Sequence, residues 1–385
     1  MLRTPETDTL RPRVDKARAR TLAWLDNLAV PEAAPGVTRL SAQHDVHAWP
    51  GMLLPGTYNG IHCRALLGGL DAMTNRDRQC TVLWLESHRI AGGAFRIPGM
   101  KDDAVYKKPD RDETWRYIDF HVTNYALGAV EMLDGTRVPD LGFLRSWLEP
   151  STFDTWFDRR DWSDPWQEGN NLVNLASFLL LLERFGDGTD RSRAASILGQ
   201  LLHRLEAIQD PATGFWWDGN ENGGRGLLHA MAGAMHSFHL WYARARPLPH
   251  QEKAADYTLS LDPAAVLGAC LDVDAIDLLF HAERAIGYRT DEIRDWSRIK
   301  LETLLDAQRA DGGFADVEDG TLRPDGWVGG YAEPQGRSNT FATWFRWIAI
   351  AMVAELLWPG WRNWQFRQMI GIGYCRTAFR SNGHG

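Results

Sequence analysis

The stretch from Asn170 to Phe185 reads NNLVNLASFLLLLERF, and the stretch Thr189–Gln209 that follows it reads TDRSRAASILGQLLHRLEAIQ. Both have the 3.6-residue periodicity of an α-helix, but the first is apolar around most of its circumference and the second has one charged face. A short Gly-Asp-Gly segment separates them. The two stretches therefore predict an inner helix that is buried on more than one side and an outer helix that faces solvent.

The same alternation runs along the whole chain, and strand-type alternation is nearly absent. The outer segments are Asp15–Leu28, Asp77–Arg89, Pro139–Glu149, Thr189–Gln209, Gln251–Leu261 and Thr290–Gln308. The inner segments are Tyr58–Met73, Thr123–Leu133, Asn170–Phe185, Gly226–Ala245, Asp272–Gly287 and Ser338–Leu357. The starts of the inner segments are irregularly spaced, about 56 residues apart on average, whereas linear helical solenoids, the alternative fold, have a more uniform repeat of about 34 to 47 residues. We expect an all-α protein whose six helical hairpins close into an (α/α)6 toroid.

Because the alternation spans the chain, residues 1–385 are expected to form a single toroid domain. About 12 residues at the N-terminus and about 10 at the C-terminus are expected to pack loosely. Three linkers, Glu86–Phe95, Gln209–Trp216 and Gln308–Phe314, join an outer helix to a glycine turn and an aromatic residue. The turn reverses the chain, and the aromatic side chain is expected to fill the gap between neighbouring hairpins.

The composition excludes several classes of protein. The 385 residues include 50 acidic and 42 basic side chains, a formal charge of −8, which argues against a nucleic-acid partner. Four cysteines without a C-x-x-C pair predict free thiols. The charged N-terminus and the absence of an apolar run of about 18 residues predict a cytoplasmic protein without a membrane span. Its oligomeric state stays open, and its 18 tryptophans suit a carbohydrate platform, an aromatic cavity or a large core.

In an antiparallel hairpin toroid the N-termini of all inner helices open at one end, so their first turns converge on one mouth. This mouth is the expected binding site for a small-molecule substrate. Helix starts also attract Asn, Asp and Ser as caps, but capping does not explain His, Arg and Trp there. The candidate substrate-binding residues are Tyr58, His62, His121, Asn124, Trp166, Asn170, Trp216, Trp217, Arg225, Tyr331 and Asn339.

The segment Cys270–Tyr288, CLDVDAIDLLFHAERAIGY, carries three carboxylates at the start of an inner helix. It resembles the acid motif of class II terpene cyclases, in which D-x-D-D opens a buried helix that ends in Gly-Tyr or Gly-Phe. The resemblance implies that Asp274 is the general acid that protonates an alkene or epoxide. Asp272 and Asp277 would raise its pKa by like-charge repulsion. Ala275 replaces the last Asp of the motif.

A second segment, Glu333–Trp344, resembles the entry to a late inner helix in the same cyclases. With the glycine-aromatic linkers, it indicates similarity to the superfamily of terpenoid cyclases and protein prenyltransferases. The prenyltransferase zinc ligands have no counterpart here, so no metal site is expected. Two alternatives for Asp272 and Asp274 stay open: they cap a helix, or they hold Mg²⁺ through oxygen ligands.

The leading functional prediction is acid-initiated cyclisation or isomerisation of an isoprenoid-like molecule, with His229 at the mouth as a possible base. The alternative is a six-hairpin carbohydrate-active enzyme, because the stretch Asp161–Asn171 is both polar and aromatic. Such an enzyme would use Glu168 with Asp272 or Asp274 as an acid/base pair, or His229 with Tyr331 for β-elimination. A non-catalytic toroid that binds a ligand or partner is the third possibility. His236 and His239 are expected to be core residues.

Overall fold

Helices dominate the computed structural model, which describes residues 7–100, 113–221, 223–317, 322–324, 331–334 and 336–366. Residues 322–324 (β1) and 332–334 (β2) form a short antiparallel pair, with Arg323 opposite Glu333. The all-α prediction is confirmed. The α-helices of the described residues are α1 (Thr7–Asn27), α2 (Leu53–Leu66), α3 (Asn75–Glu86), α4 (Glu113–Leu133), α5 (Pro150–Asp158), α6 (Pro165–Phe185), α7 (Gly188–Ile208), α8 (Gly226–Ala243), α9 (Gln251–Leu259), α10 (Ala269–Ile286), α11 (Thr290–Asp306) and α12 (Thr340–Leu357).

The third outer segment differs from the prediction. It is a 3-10 helix, Gly142–Leu148, followed by α5 rather than one α-helix. Glu149 is extended between the two elements, and Pro150 takes the first position of α5, where a missing N–H costs no helical hydrogen bond. At the N-terminus α1 already begins at Thr7 and buries Leu10, whereas the C-terminal ten residues lie outside the described ranges.

The inner layer consists of α2, α4, α6, α8, α10 and α12. Each of these helices contacts the next along the chain, and α12 contacts α2. Helices α3, α7, α9 and α11 pack on α4, α6, α10 and α12, and α1 contacts α2, α11 and α12. The indole Nε1 of Trp347 donates a hydrogen bond of 2.8 Å to Thr21 Oγ1, 326 positions away. The first and last described helices therefore lie side by side.

Helices α6 and α8 cross with their backbones in contact. A Cβ added to Gly169 of α6 would lie 2.3 Å from the carbonyl oxygen of Gly233 on α8. One added to Gly233 would lie 2.1 Å from the carbonyl oxygen of Pro165. Only glycine permits this approach. The crossing lies next to Trp166 on one helix and four residues after His229 on the other, so it sets the spacing of the first turns.

One cluster of buried apolar side chains extends from Leu10 to Phe366, and a small second cluster contains Val30, Ala34, Val37 and Leu53. Ten of the described tryptophans, among them Trp241 and Trp347, are buried in the first cluster, so core packing accounts for much of the tryptophan content. Helix α12 is long and apolar enough to cross a membrane, a test that buried core helices also pass, and 83% of it is buried inside the structure. Among the described residues, Cys63, Cys80 and Cys270 form no disulfide, and Cys375 lies outside the described ranges.

Candidate functional site

The six inner helices border one cavity with a volume of about 800 Å³. This volume falls in the range of about 300 to 1,000 Å³ that is common for small-molecule sites. Seven residues predicted from the sequence line it: Tyr58, His121, Trp166, Asn170, Arg225, His229 and Asn339. Other lining residues include Tyr117, Tyr125, Asp164, His236, Cys270 and Phe341.

One side of the cavity is formed by the first turns of α6 and α8. The rings of Trp166 and His229 lie 5.3 Å apart between centroids, and Asn170 Nδ2 donates a 2.9 Å hydrogen bond to the carbonyl oxygen of Trp166. Burial lowers the pKa of His229, and the nearby charge of Asp164 opposes this only in part. The His229 imidazole is therefore mainly neutral at neutral pH and can accept a proton. Arg225 is exposed beside it and precedes α8.

The deeper part of the cavity contains two buried histidines, His121 on α4 and His236 on α8. Burial lowers the pKa of each to about 3, because the protonated form would be desolvated. The ring of Tyr125 meets His121 edge-on at 4.6 Å and stacks on Tyr58 at 5.3 Å between centroids. The floor thus presents aromatic faces and neutral imidazoles rather than fixed charges.

Two predicted lining residues, His62 and Asn124, lie behind the cavity wall. The His62 ring stacks on Trp344 at 4.4 Å, and its Nε2 lies 3.0 Å from the carbonyl oxygen of Tyr125. Asn124 Nδ2 donates a 3.0 Å hydrogen bond to Asn174 Oδ1. These contacts join α2 to α4 and α12, and α4 to α6, so both side chains pack between inner helices and are not part of the described cavity lining.

Three further predicted residues are absent from the described cavity lining: Trp216, Trp217 and Tyr331. Trp216 is a core residue whose ring stacks on Trp241 at 5.8 Å, and Trp217 is half-buried outside the cavity. Tyr331 is buried, with its ring 6.0 Å from that of Trp49. The predicted pairing of Tyr331 with His229 at one mouth therefore has no support in the cavity lining.

Glu168 is a buried structural carboxylate, contrary to the prediction that it lies in the mouth. Its oxygens accept hydrogen bonds from Arg160 Nη1 at 2.9 Å, the backbone N–H of Asp161 at 3.0 Å and Asn171 Nδ2 at 2.9 Å. Trp166 is two positions earlier on the same helix, and residues two apart point to different faces. Glu168 is thus outside the cavity lining and already fully paired.

Asp272 does not cap α10, because the helix begins three residues earlier at Ala269. The N–H of Ala269 donates instead to Asp316 Oδ1 at 2.8 Å. Asp272 is fully buried and forms ion pairs with Arg346 and with Lys300 Nζ, the latter at 2.5 Å. Two cations already neutralise this carboxylate. It is therefore a poor Mg²⁺ ligand and a poor partner for acid/base catalysis.

Asp277 lies two turns into α10, among histidines. His239 Nε2 is 3.0 Å from its Oδ1, and His281 Nε2 is 3.7 Å from its Oδ2. Burial alone would raise the pKa of Asp277, but His239 and His281 lower it below its ordinary value. Asp277 is therefore an anion buried within an imidazole cluster rather than a cavity residue.

Asp274 differs from the other predicted carboxylates. It is fully buried, and neither carboxylate oxygen has a hydrogen-bond partner among the described residues. Burial raises the pKa of Asp274 well above its ordinary value, and the charges of Asp277 and Asp272 add to the effect. Cys270 and Leu271, four and three residues earlier, line the cavity. Residues at this spacing share a helix face, so Asp274 lies about one turn below the cavity lining on α10.

Several site residues were not predicted although the sequence carries a local signal for them. Tyr117 and Tyr125 lie four residues before and after His121, so helical spacing places them on the same face as that predicted residue. His281 lies four residues after Asp277 and could have been found in the same way. His236 was predicted to be core; it is buried and also lines the cavity.

Comparisons with known proteins give no relative: neither the protein-family models nor the curated proteins contain a match to this chain.

Proposed function

We propose that the protein is an (α/α)6 toroid enzyme that starts an isomerisation or cyclisation of an isoprenoid-like molecule by proton transfer from Asp274. The contacts among the inner helices support the toroid, since they run from α2 through α12 and return to α2. Helices α3, α7, α9 and α11 each pack on an inner helix and support a second, outer layer. The observation that carries the proposed activity is Asp274, which is buried and has a raised pKa, beneath a cavity bordered by all six inner helices.

A proton donor for an alkene must be a neutral acid, and an ordinary Asp is ionised at neutral pH. Asp274 meets this requirement because burial and the neighbouring Asp277 both disfavour its anion. Asp164 and Asp316, which line the cavity, instead accept backbone hydrogen bonds as helix caps. The first turn of α10, with Leu271, separates Asp274 from the cavity. The proposed transfer therefore requires this turn to move when substrate binds.

The cavity walls suit an apolar molecule with one polar group. Leu228, Val266, Leu267 and Phe341 contribute apolar surface, and Arg225 and His229 lie together at one side. The faces of Tyr58 and Tyr125 can stabilise a cation formed after protonation, because aromatic rings attract positive charge. A polar group of the substrate would lie near Arg225.

The test is a thermal-unfolding screen of the purified protein with prenyl diphosphates of increasing length, linear polyprenes and neutral oligosaccharides. A ligand that binds only the native state, at a free concentration of 100 times its Kd, raises the free energy of unfolding by about 2.7 kcal/mol. We expect stabilisation by the isoprenoids and, on incubation, isomerised or cyclised products detectable by mass spectrometry and nuclear magnetic resonance. Stabilisation by oligosaccharides with no effect of any isoprenoid would contradict the proposal.

The ring pair Trp166–His229 favours a second candidate, a carbohydrate-active enzyme. An indole at a cavity edge can stack on a sugar ring, Asn170 and Arg225 can bind hydroxyl or carboxylate groups, and a neutral His229 can remove a proton next to a uronate carboxylate. The ultraviolet absorbance of a new double bond in oligouronates would report this β-elimination. The matched variants are Trp166→Leu and Trp217→Leu: the first should abolish uronate binding, and the second, outside the cavity, should not.

A further inference from the structure

Helices α8 and α10 bring two histidines and one aspartate together below the cavity. His239 comes from α8, and Asp277 and His281 come from one face of α10. One ligand atom from each residue lies within 4.8 Å of the other two, and all three residues are buried. The two imidazoles contact different oxygens of the same carboxylate, at 3.0 Å and 3.7 Å.

The rings are oriented so that both direct Nε2 toward Asp277. Their planes are nearly perpendicular, at 85°, with centroids 5.4 Å apart. Tyr242 stacks on His281 at 4.1 Å and meets His239 edge-on at 5.7 Å, and Gln251 Nε2 lies 3.3 Å from the Tyr242 hydroxyl oxygen. Packing therefore fixes the directions of the ring nitrogens, as outer residues do around metal centres.

We propose that His239, Asp277 and His281 bind a divalent transition-metal ion. Two imidazoles and one carboxylate are the donors that Zn²⁺ and Fe²⁺ accept, whereas Mg²⁺ prefers oxygen donors throughout. Zn²⁺ binds imidazole nitrogen at about 2.0 to 2.1 Å and carboxylate oxygen at about 2.0 to 2.2 Å, so the three groups need only small movements to meet one ion. Three protein ligands leave one position of a tetrahedral site open.

A second observation points to a ligand at this place. Among the described residues, neither carboxylate oxygen of Asp274, one turn earlier on the same face of α10, has a hydrogen-bond partner, although both are buried. Buried polar atoms are normally paired, so an unpaired carboxyl group beside a buried anion is unusual. A cation bound to Asp277 would supply the positive charge that balances this buried carboxylate. The inference does not depend on the proposed isoprenoid activity.

The experiment uses the full chain, purified without a polyhistidine tag and dialysed against Zn²⁺ or, under anaerobic conditions, Co²⁺. We expect one metal ion per chain by elemental analysis, and for Co²⁺ the intense visible absorption of a tetrahedral site. Chelator should remove the ion slowly, because the site is buried, and should lower the Tm. A wild-type chain that retains only substoichiometric metal, or that binds Co²⁺ with the weak spectrum of an octahedral surface site, would overturn the proposal.

Variants locate the site. His239→Gln, Asp277→Asn and His281→Gln should each lose the stoichiometric metal and the Co²⁺ spectrum. His236→Gln is the matched control, since His236 is buried on the same helix one turn earlier but is outside the three-residue cluster. It should keep both signals. Equal metal content in all four variants would assign the ion elsewhere and refute the proposal. If the cluster variants do not fold, the Co²⁺ spectrum and the metal content of the wild-type chain still decide the question. A negative result in either measurement leaves the isoprenoid proposal unaffected.

Discussion

Gly233 lies so close to Pro165 that a Cβ added to it would sit 2.1 Å from the proline carbonyl oxygen. The obstacle is backbone, not a flexible side chain, so it cannot move away by a rotamer change. Because Pro165 begins α6 and Trp166 follows it, this contact couples helix packing directly to the wall of the cavity.

Gly233→Ala is therefore expected to force α6 and α8 apart. Overpacking of this kind costs about 1 to 3 kcal/mol of unfolding free energy. Gly199→Ala on α7 is the control, because nothing lies within 4 Å of its Cβ position and a helical Gly→Ala change stabilises by about 0.5 to 1 kcal/mol. Urea unfolding measures both. If both variants changed the free energy of unfolding in the same direction, the backbone contact at Gly233 would be contradicted.

Asp272→Asn is expected to be strongly destabilising. It leaves Lys300 and Arg346 buried with two positive charges and no anion, and breaking a buried ion pair costs about 3 to 5 kcal/mol. Asp26→Asn, which removes the partner of Arg64 at the surface, should cost no more than about 1 kcal/mol. A variant at Asp272 as stable as the one at Asp26 would contradict the ion-pair assignment. A loss of activity in the Asp272→Asn variant would therefore result from its lower stability.

Asp274→Asn is expected to fold at least as well as the wild type and to lose turnover. Because folding raises the pKa of Asp274, the folded state must keep a proton that the unfolded state releases above its ordinary pKa of 3.8. The contribution of Asp274 to the free energy of unfolding is largest below pH 3.8 and declines as the pH rises. Relative to the wild type, the Asp274→Asn variant should therefore gain most stability at neutral pH and none near pH 4. Urea unfolding at several pH values measures this difference.

The same variant should lose about 10² to 10⁴ in kcat, the usual contribution of a general acid. The loss should fall on kcat more than on KM if Asp274 acts in the transition state. Full activity in a folded Asp274→Asn protein would exclude this residue as the proton donor.

His121 is expected to make the protein less stable at mildly acidic pH. Its folded pKa is about 3, against an ordinary 6.5, so between these values the unfolded chain binds a proton that the folded chain does not. Stability is therefore lost as the pH falls through 6.5, by up to about 1.4 kcal/mol per pH unit. In His121→Gln the decline between pH 7 and 5 should be shallower, since one fewer buried imidazole excludes a proton in the folded state. An unchanged slope in urea unfolding would contradict the buried, neutral imidazole.

Local periodicity was sufficient to predict the helices and much of the cavity. Tyr58, Trp166, Asn170, Arg225, His229 and Asn339 line it from the first two turns of an inner helix or from just before the helix, whereas His121 lines it from more than two turns into α4. The roles of the carboxylates could not be predicted from local sequence, because they depend on distant partners. Arg346 pairs with Asp272 from 74 positions away in the chain, and no local sequence pattern indicates this pair. Conversely, Asp274 could be recognised from its position in the acidic segment, but its lack of partners could not.

The hydrogen bond between Thr21 and Trp347 has a consequence for how the chain folds. It joins residues 326 positions apart in the chain, so the part of α1 that packs on α11 and α12 stays uncovered until those helices are in place. Contacts over such separations slow folding and leave intermediates with exposed apolar surface. We expect refolding to be slow at high protein concentration, with aggregation competing through the unpaired faces of α1 and α2.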